Sequence, residues 1–126
     1  MTKKIEAIIR QEKLHAVKNA LSEIGIVGMT VIEVKGRGRG RGLQLQWRTG
    51  KYNVDLLPRL MVSIVLSDDN VDATVAAIKK AAYTGDKGDG VIFISPVDNV
   101  IRISTGEEGR EALSYQGDID TRKQRT

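Results

Sequence analysis

The sequence predicts an α+β fold: one antiparallel sheet built from two successive βαβ units, with both helices on the same face. Three observations point there. Runs of isoleucine, valine and leucine with strand character flank two stretches of helical period. The order strand, helix, strand occurs twice, in halves of about equal length. Between the halves lies an insert that opens Gly-Arg-Gly-Arg-Gly-Arg-Gly at 36–42, where a short hairpin turn would suffice.

The elements follow in order. Residues 4–10 (Lys-Ile-Glu-Ala-Ile-Ile-Arg) predict a first strand. Residues 12–24 switch to the helical period, with Leu14, Val17, Leu21 and Ile24 on one stripe and Ala16 and Ala20 beside it. Gly25 is placed to end that helix as its C′ residue. Residues 29–35 predict a second strand. Residues 60–66 predict a third, with Leu60, Val62, Ile64 and Leu66 alternating against Met61, Ser63 and Val65. Both of its faces are largely apolar, which marks a central strand.

Ser67 to Asn70 offer several N-cap candidates for a second helix with Val71, Val75, Ile78 and Ala82 on one stripe. Residues 84–90 read as a glycine-rich loop. Residues 91–95 predict a fourth strand stopped by Pro96, and 100–104 a short fifth. Two βαβ units with right-handed crossovers give a ferredoxin-like split sandwich. Its second sheet face also carries apolar residues, which argues for an oligomer in which sheets pack together. From about residue 107 the chain is polar with little periodicity, the pattern of a mobile tail.

At 126 residues the chain fits one domain with a real core, so neither a disulfide nor a metal staple is needed. It has no cysteine, which fits a cytoplasmic protein and excludes thiol chemistry. The start reads as a charged strand, not a secretion signal, and no apolar run approaches the roughly 20 residues of a membrane span. The net charge is +4. Between Lys35 and Arg59, seven basic residues stand against one acid, Asp55, so the basicity is local to the insert. Glycine allows close backbone approach, and arginine forks match phosphate or carboxylate oxygens. The insert therefore presents itself to an anion, a partner, or both. Gly-Arg repeats also occur in RNA-binding segments. This run is short, single and set between strands, and aromatics for base stacking are scarce, so nucleic acid is not expected. His15 lies off the apolar stripe and reads as a surface residue. Asp68, Asp69 and Asp72 resemble a metal cluster but suit a helix N-terminus better.

Several segments together carry a family resemblance: Lys-Ile-Glu-Ala-Ile-Ile-Arg at 4–10, Gly-Ile-Val-Gly-Met-Thr-Val at 25–31, Glu-Val-Lys-Gly at 33–36, Val-Asp-Leu-Leu-Pro-Arg at 54–59, Thr-Gly-Asp-Lys-Gly-Asp-Gly at 84–90 and Ile-Arg-Ile-Ser-Thr-Gly-Glu at 101–107. From about residue 3 to 108 the chain resembles the PII signal-transduction (nitrogen regulatory) proteins. The resemblance implies a PII-like domain over 1–108 with a polar tail over 109–126. It implies a homotrimer with long T-loops, here about residues 37–55. It also implies ATP or ADP bound in clefts between subunits, 2-oxoglutarate and Mg²⁺ at the T-loop base in many members, and T-loop docking onto an ammonium channel, another membrane transporter or a soluble enzyme. It implies no enzymatic activity and no insertion into the membrane.

By the same resemblance, Thr30, Ser63 and Val65 fall at the adenine. Gly36, Gly38 and Arg39 fall beside the nucleotide at the T-loop base, Gly88, Asp89 and Gly90 at the phosphate loop, and Arg102 and Ser104 at the phosphates. Gly40, Arg41 and Arg59 fall at the effector site, and Arg37, Trp47, Arg48 and Tyr52 on the partner-facing loop. Trp47 is the best single anchor candidate for a partner. Tyr52 stands where enterobacterial members carry a uridylylated tyrosine, with different flanking residues. Several positions depart from the family pattern. Gly40 replaces the Mg²⁺-ligating glutamine, Arg59 a lysine, Ser63 a glutamate, Val91 a lysine and Ser104 an arginine. The missing cations weaken triphosphate binding most, so ADP or AMP is expected to bind at least as well as ATP. The 2-oxoglutarate response stays open. The alternative is a divergent relative with weak ATPase activity or a different small anion as its signal.

Overall fold

The computed structural model describes residues 1–37, 43–47, 50–54 and 56–123. Among them, β1 (Thr2–Ile9), β2 (Thr30–Gly36), β5 (Leu57–Ser67) and β6 (Gly90–Val97) form one antiparallel sheet in the order β2-β5-β1-β6. The helices α1 (Leu14–Glu23) and α2 (Val71–Ala82) pack against each other over one of its faces. This is the predicted α+β ferredoxin-like arrangement, with β5 between two neighbours as its two apolar faces require.

The register explains the core. Ile5 lies opposite Ile64, Ala7 opposite Val62 and Ile9 opposite Leu60, and all six side chains are buried. Val17 and Leu21 of α1 and Ile78 and Ala82 of α2 close over them. Each large aliphatic side chain buried this way contributes about 1.5–3 kcal/mol. On α2 the buried face also takes Thr74, which a purely apolar stripe omits. Its hydroxyl donates to the Asn70 carbonyl at 2.8 Å, so its polar atom is satisfied within the core.

Gly25 ends α1 as expected. It takes φ +87°, Ile26 N–H donates to the Leu21 carbonyl at 2.8 Å, and Gly25 N–H donates to the Ser22 carbonyl at 3.0 Å. That is a Schellman closure, with Ile26 buried alongside Leu21.

Four expectations are corrected. First, Pro96 does not stop β6, which runs on to Val97 with Pro96 opposite Lys3. β6 is an edge strand in this sheet, and edge strands tolerate proline. Second, residues 100–104 form no strand but an isolated antiparallel bridge, Ile101 opposite Glu108. Third, the insert read as a loop holds a hairpin of β3 (Leu43–Trp47) and β4 (Gly50–Val54), with Leu45 opposite Tyr52 and Trp47 opposite Gly50. The Leu-Gln-Leu-Gln-Trp alternation at 43–47 is itself a strand signal, overshadowed by the Gly-Arg run before it. Fourth, the segment read as a mobile tail forms α3 (Arg110–Leu113) and α4 (Ile119–Lys123) and packs on the domain, with Ala112 and Asp118 buried.

The sheet face away from the helices carries Ile8, Met61 and Val65 at its centre and leaves Ile32, Val91 and Phe93 exposed toward its two edges. Ile101 and Ile103 are also exposed.

Candidate functional site

The described site residues gather at two ends of the same sheet. At one end, Thr30 lies opposite Ser63 across β2 and β5. Together with Val65 and Arg102 they line a cavity of ≈ 390 Å³. Gly28, Met29 and Asn70 also line it. The chain beyond residue 110 supplies another wall, through Tyr115, Asp118 and Asp120. Arg102 donates from Nε and Nη2 to the Ala112 carbonyl at 3.2 and 2.9 Å, and from Nη2 to the Ser114 carbonyl at 3.1 Å.

At the other end, Gly36 lies opposite Leu57, and the loop 84–90 closes beside the end of β1. The closure is made by Asp89. Its carboxylate accepts from the Thr84 hydroxyl, from Thr84 N–H at 2.8 Å, from Gly85 N–H at 3.0 Å and from Arg10 Nε at 3.3 Å. The Thr84 hydroxyl, the two N–H groups and the Arg10 guanidinium hold this carboxyl far below the usual carboxylate range. Arg10 Nη2 also donates to the Lys87 carbonyl at 2.8 Å. Gly88, at φ +92°, lies so near the Arg59 and Arg10 guanidinium groups that an added Cβ would meet their Nη2 atoms at 3.2 and 3.4 Å. Two guanidinium groups thus flank a glycine whose bare backbone lets an anion approach.

Asp89 therefore shapes the loop rather than presenting a free carboxylate. Its depressed pKa fixes the sign of the pH response. The clamp is fully present above the ordinary aspartate pKa and is lost only as strong acid protonates the folded-state carboxyl. Amide exchange at Thr84 and Gly85 is expected to stay slow from neutral pH down through the ordinary carboxylate range. Asp89→Asn is expected to speed it at neutral pH. Equal exchange in the variant would remove the clamp from the account.

Thr30 and Gly36 are six residues apart on one strand, roughly 20 Å. Along β5, Arg59 and Ser63 are four residues apart, about 13 Å, so the two groups occupy different stretches of the sheet. Gly38, Arg39, Gly40, Arg41 and Arg48 lie outside the described residues. Trp47 and Tyr52 sit in β3 and β4, and Arg37 directly follows β2. Ser104 is exposed in the turn after the Ile101 bridge and does not line the cavity.

Two contributors escaped sequence reading. Arg10 matters because Ile9 lies opposite both Leu60 and Gly90, which sets residue 10 beside Arg59 and Asp89. Strand register, not a motif, is the signal. The wall beyond residue 110 was missed because it is held by polar capping rather than by an amphipathic stripe.

Comparison with known proteins shows what the chain as a whole is similar to. The family model described as nitrogen regulatory protein P-II matches residues 2–107. Nitrogen regulatory protein P-II 2 of Methanothermobacter thermautotrophicus is 55% identical over 111 residues, covering 88% of this chain and 96% of its own. Nitrogen regulatory protein P-II of Rhizobium meliloti is 52% identical over 111 residues, covering 88% and 99%. That of Nostoc punctiforme is 55% identical over the same length and coverage.

Proposed function

The chain belongs to the nitrogen regulatory P-II family, and from that premise we propose that it senses adenine nucleotides in a site shared between subunits of a homotrimer. It is a signalling regulator of partner proteins. The observation that carries the shared site is the separation of its two halves. Thr30, Ser63, Val65 and Arg102 line one end, while Gly36, Arg59, Gly88, Asp89 and Gly90 gather at the other. In this reading a nucleotide reaching both lies where one subunit's base-holding end meets a neighbour's phosphate loop. The open sheet face, with Ile32, Val91 and Phe93 exposed, supports such packing.

In this reading the domain spans 1–108 and the segment 109–126 is an appendage to it. Thr30, Ser63 and the Val65 backbone receive the base. Gly88 and Gly90 admit the phosphates against backbone N–H groups, and Arg102 pairs with them. Arg39, Gly36 and Gly38 link the bound phosphates to the insert 37–55. The nucleotide shifts the insert only through its differential affinity for the insert's conformations. One conformation docks onto a transporter or a soluble enzyme, with Arg37, Trp47, Arg48 and Tyr52 at the contact. The protein works in the cytoplasm, binds its nucleotide without turning it over and does not act on nucleic acid. Among the described residues no helix is long and apolar enough to cross a membrane.

Isothermal titration with ATP, ADP and AMP, each with and without Mg²⁺ and 2-oxoglutarate, tests this. ADP is expected to bind at least as tightly as ATP, because Val91 and Ser104 supply no charge to a third phosphate. Gly40 cannot ligate Mg²⁺ through a side chain, so Mg²⁺ and 2-oxoglutarate are expected to change ATP affinity by less than about tenfold. No binding by any adenine nucleotide would sink the proposal, and rapid ATP turnover would replace it with an enzyme.

A further inference from the structure

We infer that residues 110–123 form a latch that competes with an anionic ligand for Arg102. The inference rests on the nucleotide reading above, but its central contact is observed directly. The Nε and Nη2 edge of Arg102 is a fork that can take two oxygens of a phosphate or carboxylate. In this structure that edge is committed to the carbonyls of Ala112 and Ser114. A phosphate cannot take the same fork while those carbonyls hold it. Both kinds of bond are charge-assisted through the guanidinium, but a phosphate adds the opposite charge and two oxygens that match the fork, so a phosphate has the means to displace the carbonyls.

The latch is attached by polar contacts at several points. The Tyr115 hydroxyl donates to the Gly25 carbonyl and accepts from Val27 N–H at 2.9 Å. Ile119 N–H donates to the same Gly25 carbonyl at 3.1 Å. Asp118 caps α4, accepting from Thr121 N–H at 2.7 Å, and also holds Tyr115 N–H at 2.9 Å. Asn70 donates to Asp120 at 3.0 Å, and Arg122 to the Glu23 carbonyl at 2.6 Å. Arg110 reaches Ser67 at 2.7 Å and Asp69 at 2.8 Å. Ser67 and Asn70, read from sequence as helix caps, make no side-chain cap and serve the latch instead.

Apolar burial by the segment is slight: Ala112 is buried and Ile119 partly so. Few buried apolar contacts and exposed ion pairs place it among the parts of a protein that open most readily. It also lies beyond residue 107, where the family match ends. The latch is thus set on a site that the family fold supplies. By reciprocity, whatever the ligand does to latch docking, docking does equally to ligand affinity.

The test uses the full chain, ADP and two variants, Asp118→Ala and Tyr115→Phe. Saturating ADP is expected to speed amide exchange at Ile119, Thr121 and Arg122. Both variants are expected to bind ADP tighter, by about three- to tenfold, because less of the protein is held in the closed form. Slower or unchanged exchange with bound ADP, or variants that bind no tighter, would overturn the latch while leaving the nucleotide site standing. No ADP binding by the wild-type chain or either variant would overturn both.

Discussion

Gly90→Ala is expected to cost at least about 3 kcal/mol of stability and to lower the melting temperature by roughly 10 °C or more. Gly90 opens β6 opposite Ile9, at φ +120°. A Cβ built there would stand 1.8 Å from the Ile8 carbonyl oxygen and 2.9 Å from its carbon. Both atoms are backbone of β1, which is hydrogen-bonded to β5 and β6, so neither can yield without breaking the sheet. The positive φ adds strain that an L side chain does not relieve. Thermal denaturation followed by circular dichroism checks the effect. Gly28→Ala is the control, because a Cβ there meets nothing within 4 Å. It is expected to stay within about 1 kcal/mol of the parent. A Gly90→Ala chain as stable as the control would mean that the loop 84–90 does not enter β6 in this way.

The same position shows what a single sequence discloses. Gly90 could be placed in a glycine-rich loop from composition, but its close approach to Ile8 depends on pairing between residues about 80 apart. Elements with strong periodicity were legible. The Leu14, Val17, Leu21 stripe and the Leu60 to Leu66 alternation each met a buried surface of matching period. Gly25 was legible because only glycine readily takes its backbone angle at a helix end. Thr74, Pro96 and the hairpin of β3 and β4 were not. Thr74 and Pro96 each read as an interruption until the neighbouring chain is known, and the Leu-Gln-Leu-Gln-Trp alternation of β3 was overshadowed by the Gly-Arg run before it. The segment beyond Glu107 lacked an apolar stripe. Asp118 accepting from Thr121 N–H is a helix cap in hindsight, but a polar cap without an apolar run to follow carries little weight in a sequence. For the site, the family pattern named residues at both ends of the sheet, and no pattern in one chain says that the ends lie apart. That separation comes from the register of Thr30 with Ser63 and of Gly36 with Leu57.

Under the shared-site proposal, variants damaged at different ends are expected to complement each other. Arg102→Ala removes a cation from the cavity end. Gly88→Asp sets a carboxylate between Arg10 and Arg59 at the loop end, and aspartate is among the residues that best tolerate positive φ. Each alone is expected to weaken ADP binding by at least about 30-fold, the scale of losing or blocking a charge-assisted hydrogen bond. In a trimer assembled at random from equal amounts of both, each site draws one end from each of two neighbours. About a quarter of the sites then combine an undamaged cavity end with an undamaged loop end. Titration of the co-assembled protein is expected to show that fraction binding with parental affinity. A differential tag on the two chains verifies that mixed trimers formed. Mixed trimers without any tight sites would place both ends of the nucleotide on a single chain. A parental chain that sediments as a monomer would remove the trimer itself, and with it the reason for leaving Phe93 and Val91 exposed on the open sheet face.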